Sequence, residues 1–155
     1  MPLLFLRHAR AGNRQKWAGP DHARPLTDRG WRQAETISST YRTFRVTRIL
    51  SSPYLRCTQT VEPLARRLGI DVEEVAALAE GTGARPTLAL LEQLAGTTTV
   101  LCTHGDVMLD VLDTLEELAG ITLPPDYPVA KGCTWVLDGE DFPFGALTYL
   151  PPPDP

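Results

Sequence analysis

The sequence predicts an α/β fold, a three-layer α/β/α arrangement on a mostly parallel central sheet. Apolar runs of strand length alternate with segments of helical hydrophobic spacing, the pattern of helices crossing over a parallel sheet. The first run, Leu3-Leu4-Phe5-Leu6, is apolar at every position and suits a strand buried on both faces. Three runs end in polar or cationic residues at the strand's carboxyl end, where open α/β sheets bind ligands. These are Arg7-His8, Ser51-Ser52-Pro53 leading to Arg56, and Thr103-His104-Gly105.

Each element has its own signal. Leu3 to Leu6 is the first strand, and Ala11 to Pro25 lacks a hydrophobic period and carries Gly12, Gly19, Pro20 and Pro25, so it reads as a loop. Thr27 or Asp28 caps a helix to about Thr43 with Ala34, Ile37 and Tyr41 on one face. Val46 to Leu50 is the second strand. A helix from Tyr54 to Leu68 follows, stopped by Gly69 and expected to kink or break at Pro63. Asp71 to Val75 reads as a strand and Ala76 to Arg85 as a loop. Pro86 lies in the first turn of a helix that ends near Gly96. Thr98 to Cys102 repeats the opening pattern. A helix from about Asp106 to Ala119 places Met108, Val111, Leu112, Leu115 and Leu118 at helical spacing. After a proline-rich loop, Leu123 to Pro128, two late strands are expected at Thr134–Leu137 and Ala146–Leu150. The Pro-rich tail, 151–155, is expected to fray.

Length and composition bound the function. The 155 residues suit one domain, taken as 1–150 ahead of the tail. Apolar residues make up 43% and charged residues 22%, the balance of a soluble globular protein. No apolar run reaches membrane-spanning length, and the first leads straight into charge, unlike a signal peptide. Cys57, Cys102 and Cys133 are scattered, odd in number and without a CxxC pair. That pattern argues against a disulfide framework or zinc site and for a reducing, cytoplasmic setting. The net charge of −4 is unevenly spread: residues 1–70 hold thirteen of the fifteen basic residues and only four of the nineteen acidic ones. Most of these arginines suit a solvated surface, and some are placed to converge on an anion. Basic–aromatic interleaving is missing, so a nucleic-acid polymer is not the expected partner.

A guanidinium presents a planar fork of donors to phosphate oxygens, and a histidine between arginines can attack the phosphorus or pass it protons. Three cationic groups at three strand ends therefore point to phosphoryl chemistry. His104 also stands beside a helix start, whose free N–H groups favour an anion. His22 has no metal-type residue at helical or strand spacing and reads as an exposed loop histidine.

Four blocks in order across the chain carry a family resemblance: Leu6-Arg7-His8-Ala9; Leu26-Thr27-Asp28-Arg29-Gly30 with Gln33-Ala34; Ser51-Ser52-Pro53-Tyr54-Leu55-Arg56-Cys57-Thr58-Gln59-Thr60; and Thr103-His104-Gly105. The sequence resembles the histidine phosphatase superfamily, also called phosphoglycerate mutase-like. Ala9 and Arg24-Pro25-Leu26 resemble its small bacterial branch, which includes SixA-type phosphohistidine phosphatases. These features, with Val61-Glu62-Pro63-Leu64-Ala65 and Lys131-Gly132-Cys133-Thr134-Trp135-Val136-Leu137, are also similar to the histidine-phosphatase half of certain Nudix-fusion hydrolases.

The resemblance implies a phosphoglycerate mutase-like fold and a phosphatase that needs no metal or other cofactor. His8 would be the nucleophile and pass through a phosphohistidine. Arg7 and Arg56 would clamp the phosphoryl group, and His104 would add a donor. Arg10 would join the pocket rim or form a surface ion pair, and Lys131 would reach substrate from the last loop or stay solvated. Glu80 would be the general acid or an ordinary exposed glutamate; its rival Asp106 suits an N-cap better. Cys57 is taken as packing. The substrate would be a protein phosphohistidine, a small phosphomonoester or a nucleotide. The alternatives are a catalytically weak phosphate- or phosphoprotein-binding domain of the same fold and, further off, a mutase. The mutases of the family shield their phosphohistidine with insertions for which this chain has no room.

Overall fold

The computed structural model describes residues 1–153. Six strands form one sheet: β1 (Leu3–Arg7), β2 (Arg48–Ser51), β3 (Val72–Glu74), β4 (Thr99–Thr103), β5 (Thr134–Asp138) and β6 (Ala146–Leu150). Four helices cover it: α1 (Asp28–Tyr41), α2 (Leu55–Leu68), α3 (Ala84–Leu94) and α4 (Gly105–Ala119). The sheet order is β3-β2-β4-β1-β5-β6. The pairs β2–β3, β2–β4 and β1–β4 are parallel, and β1–β5 and β5–β6 are antiparallel. The mostly parallel sheet expected from the sequence is therefore present, with an antiparallel edge.

Side-chain alternation along β1 and β4 separates two cores. Leu3 and Phe5 pack with Leu101 and the α4 stripe Val107, Met108, Val111, Leu112 and Leu115. Leu4 and Leu6 pack on the other face with Val100, Cys102, Ile37 and Tyr41 of α1, and Cys57, Val61 and Leu64 of α2. Both faces are covered, which is why β1 reads as a continuous apolar run.

The two helix layers explain where a cleft can open. The chain leaves β1 and β2 for α1 and α2 on one face, and leaves β4 for α4 on the other. Adjacent strands that send their connections to opposite faces create a crevice beyond their carboxyl ends. Register then sets three residues side by side. Arg7 pairs with Thr103 and Ser51 with Cys102. Beyond the pairs, the His8 N–H donates to the Thr103 carbonyl at 3.0 Å and the Ser52 N–H to the Cys102 carbonyl at 2.9 Å. His8, Ser52 and His104 are thus each one residue past the end of three neighbouring strands.

Several local expectations are adjusted. Pro63 does not break α2, which runs unbroken from Leu55 to Leu68 with Pro63 buried. The N–H that proline lacks costs one helical bond, a local cost set against the core contacts of Val61 and Leu64 on either side. Asp106 is not an N-cap: α4 starts at Gly105, with His104 in the cap position. The loop after β3 contains a short 3-10 turn, Ala76–Leu78. The expected fraying does not apply to Pro151, Pro152 and Pro153, because the Pro153 carbonyl accepts from Gln33 Nε2 and Pro152 packs near Gly132. Asp154 and Pro155, the rest of that tail, lie outside the described residues. Among the described residues no helix is long and apolar enough to cross a membrane.

Candidate active site

Each sequence block builds one wall of the crevice. In the first, β1 delivers Arg7 and His8 to its floor. The following backbone is held by side chains of other blocks: the Ala9 N–H donates to Thr60 Oγ1 and the Arg10 N–H to Gln33 Oε1, both at 2.9 Å. In the second block, Thr27 caps α1 by accepting the Gly30 N–H at 3.1 Å. Its own N–H donates to the Arg10 carbonyl. Gly30 is required by that close approach, since a Cβ there would sit 2.0 Å from the Arg10 carbonyl oxygen. In the third block, the Thr60 hydroxyl donates to the Arg56 carbonyl one turn back, and Gln59 Oε1 accepts the Leu26 N–H. In the fourth, Gly105 lets the Arg7 guanidinium lie against the start of α4, where a Cβ would fall 2.7 Å from Arg7 Cζ.

His8 is almost entirely buried, at 4% exposure. Its Nδ1–H donates to the Ala9 carbonyl at 2.8 Å. That bond fixes the tautomer and leaves a lone pair on Nε2. Burial, opposed in part by the Ala9 bond and reinforced by the nearby charges of His104, Arg7 and Arg56, lowers its pKa to about 3. His8 is therefore neutral at physiological pH.

His104 faces it edge to face, with ring centroids 5.5 Å apart. His104 Nε2 lies 2.9 Å from Ser52 Oγ, which already accepts the Tyr54 N–H. In the neutral ring, a serine hydrogen directed to Nε2 leaves the His104 proton on Nδ1. Cys57 Sγ packs 3.5 Å from the same Nε2 and stays buried.

Arg56 is fully buried behind this pair. Its Nη1 donates to the Asp21 carbonyl at 2.9 Å, and its Nη2 meets Asp21 Oδ2 at 3.2 Å and Glu80 Oε2 at 3.4 Å. The guanidinium also lies 4.9 Å from the Tyr54 ring centroid. Arg7 Nη1 donates to the Val129 carbonyl at 2.6 Å. Among the described residues, Arg7 Nε, Arg56 Nε and His104 Nδ1 are buried without a protein partner. Three buried donors without partners are costly in water-free surroundings and are suited to oxygen acceptors of an anion.

In front lies a cleft of about 360 Å³ lined by Arg7, His8, Glu80, Lys131, Gly105 and Asp106, together with the segment Ala11–Arg14 and Arg24. The structure thus gathers Arg7, His8, Glu80 and Lys131 on the cleft wall and sets Arg56 and His104 immediately behind it. Arg10 is not part of the lining. Its side chain is exposed and makes no hydrogen bond or ion pair among the described residues, while its backbone anchors Gln33 and Thr27. The other cations of the lining are the exposed Arg14, paired with Glu80 at 3.1 Å, and the buried Arg24, whose Nε meets Asp21 at 3.1 Å and whose Nη1 reaches the Gly12 carbonyl. Asp106 accepts the Gly81 N–H at 3.1 Å and so ties the Glu80 loop to the start of α4.

Asp21 holds Arg24 and Arg56 together, and sequence reasoning assigned it no role. Burial alone would raise its pKa, but the hydrogen bond from Arg24 and the charge and hydrogen bond of Arg56 hold it below the ordinary carboxylate value. Asp21 lies in a loop with no periodicity, so only the fold could bring it to Arg56, 35 positions away. The scaffolding roles of Gln33, Gln59 and Thr60 had one available signal, their place inside the blocks.

Comparison with known proteins accords with this geometry. The family model described as "Histidine phosphatase superfamily (branch 1)" matches residues 3–87. The chain belongs to the histidine phosphatase superfamily. A curated relative, the 8-oxo-(d)GTP phosphatase of Mycolicibacterium smegmatis, is 34% identical over 98% of this chain. The chain spans about half of that relative, 48% of its length. A solved Agrobacterium tumefaciens protein assigned as a phosphohistidine phosphatase SixA is 28% identical, with a TM-score of 0.73 over 97% of this chain and 98% of that one. The protein histidine phosphatase SixA solved with tungstate has a TM-score of 0.78 at 21% identity, covering 96% of this chain and 94% of that one. The fold is thus that of the superfamily, phosphoglycerate mutase-like, with SixA proteins among its structural neighbours.

Proposed function

We propose that this member of the superfamily is a phosphatase working through a phosphohistidine at His8, within a single domain spanning residues 1–150. The observation that carries the reading is the state of His8: neutral, with Nδ1–H committed to the Ala9 carbonyl and Nε2 left as a nucleophile at the cleft floor. In-line attack by Nε2 leaves a phosphorylated imidazolium, whose positive charge the Ala9 carbonyl stabilises through Nδ1–H. Arg7 and Arg56 take the equatorial oxygens and His104 Nδ1–H adds a donor, so fixed positive charge meets the transition state. To do so Arg56 exchanges a carboxylate oxygen of Glu80 or Asp21 for one of the substrate. Glu80, released from Arg56, is then placed to carry a proton to the leaving oxygen. Water cleaves the N–P bond, yielding inorganic phosphate and restoring neutral His8. The cations named supply the positive charge this scheme needs, so no step is routed through a metal.

The substrate range is a phosphohistidine, a phosphomonoester or a nucleotide, and the names of the three relatives quoted above lie within it. Three free, buried cysteines suit a cytoplasmic setting. The test is hydrolysis of p-nitrophenyl phosphate in chelator-containing buffer by wild type and His8→Ala, with a denaturing alkaline quench to trap a base-stable, acid-labile phosphoryl group. Turnover and trapping in the wild type alone are expected. Tight phosphate binding without turnover by the wild type would overturn the reading.

A further inference from the structure

The cleft is larger than the phosphoryl group that His8 and its arginines would hold. Its 360 Å³ falls within the roughly 300–1,000 Å³ of small-molecule sites. Its lining is ionic. Ala11 is the one apolar side chain in it; the others are charged, asparagine, histidine or glycine. Such walls do not suit an apolar leaving group or the hydrophobic side chains of a docked peptide.

Lys131 stands on this wall, and among the described residues its ammonium has neither a hydrogen bond nor an ion pair. Partial burial and then the charges of Arg7, Arg24, Arg10 and Arg14 all press against its protonated form. Arg14 is 62% exposed at the same mouth and, among the described residues, is held only by Glu80 and, at 3.7 Å, Asp21. Cations crowded together without enough anions relieve their repulsion by binding one.

We propose that Lys131 and Arg14 form a second anion subsite, which selects substrates bearing a further phosphate beyond the one His8 takes: phosphoanhydrides and short bisphosphates. This rests on the phosphatase reading. With a phosphoanhydride, Nε2 of His8 bonds to the terminal phosphorus while the bridging P–O bond breaks. The electron pair stays on the departing phosphate. Its new charge develops beside Lys131, so the subsite assists bond cleavage as well as binding. A bisphosphate places its unreacted phosphate there and gains in binding.

The experiment has a binding arm and a turnover arm. Calorimetry compares methylenediphosphonate, with two anionic groups, against methylphosphonate, with one, for wild type, Lys131→Gln, Lys131→Arg, Arg14→Gln and Arg66→Gln. Arg66 lies on the α1–α2 surface, paired with Glu35, and controls for overall charge. The wild type and Arg66→Gln are expected to prefer the diphosphonate about tenfold or more. Lys131→Gln and Arg14→Gln should each cut that preference at least threefold, and Lys131→Arg should restore most of it. In the turnover arm, kcat/KM for pyrophosphate and for propanediol bisphosphate, each relative to p-nitrophenyl phosphate, should fall in the same two variants and separate the two substrate sources. A wild type without the preference, or a preference untouched by Lys131→Gln and Arg14→Gln, overturns the subsite. If the preference appears and depends on Lys131 while no phosphate is hydrolysed, the subsite stands and the phosphatase reading fails.

Discussion

The imidazoles of His8 and His104 meet edge to face with centroids 5.5 Å apart. They do so because Arg7 and Thr103 are paired on adjacent parallel strands and the His8 N–H donates to the Thr103 carbonyl. Each ring is anchored through a different nitrogen, His8 through Nδ1 to Ala9 and His104 through Nε2 to Ser52. The two histidines are therefore not equivalent. His8→Ala is expected to lower kcat for p-nitrophenyl phosphate by roughly 10⁴-fold or more and abolish trapping of phosphohistidine. His104→Ala, which removes the proposed donor and leaves the nucleophile in place, should cost about 10²–10³-fold with trapping retained. Equal losses with trapping absent in both would contradict this division of roles.

The buried, neutral state of His8 has a spectroscopic signature. ¹⁵N-detected NMR should show the Nδ1–H tautomer, with no titration of this ring between pH 7 and pH 4. The sign for stability follows. The unfolded chain takes up a proton on His8 as pH falls through 6.5, whereas the folded chain does so only near 3. Stability should therefore fall with pH across that window, with a slope approaching about 1.4 kcal/mol per pH unit from this group. Urea unfolding at pH 7, 5.5 and 4.5 should show a shallower decline for His8→Gln than for wild type.

Glu80 touches Arg56 and Arg14 at the cleft mouth. A general acid matters most where the leaving group is basic. Glu80→Gln should lower kcat about 10²-fold or more for an alkyl phosphate and much less for p-nitrophenyl phosphate, whose leaving group needs little protonation. Equal effects on both would remove Glu80 from the proton transfer.

Asp21 is the ion-pair partner that holds Arg56 in place from the 20–24 loop. Asp21→Asn keeps the volume and the backbone bond but removes the charge. We expect KM for a phosphomonoester to rise about tenfold with a smaller change in kcat, and a stability loss of roughly 1–2 kcal/mol. Asp21→Glu should recover part of the KM.

Two glycines separate folding from binding. At Gly30 an added Cβ meets a backbone oxygen at 2.0 Å, which cannot yield cheaply. Gly30→Ala should cost about 1–3 kcal/mol or more and lower Tm by roughly 5–10 °C. At Gly105 the added Cβ meets the movable end of Arg7. Gly105→Ala should leave Tm within a few degrees of wild type while weakening phosphate binding about tenfold, read by calorimetry.

The sequence by itself determined the alternation of strands and helices, the double-sided burial of β1, and the strand ends that carry Arg7-His8, Arg56 and His104. These are local: apolar periodicity and cap residues report on the few neighbours that a strand or helix fixes. The family blocks also named Gly30, Gln33, Gln59, Thr60 and Gly105 without saying why. Tertiary structure supplied the reasons, since each acts on a backbone or guanidinium far along the chain. Only the fold decided that Asp21 holds Arg56, that Asp106 ties down the Glu80 loop instead of capping α4, and that Arg14 and Arg24 line the cleft while the exposed Arg10 side chain does not. Side chains from aperiodic loops leave no local trace of their partners. Parallel register and crossovers to opposite faces bring them together, and both are properties of the whole sheet.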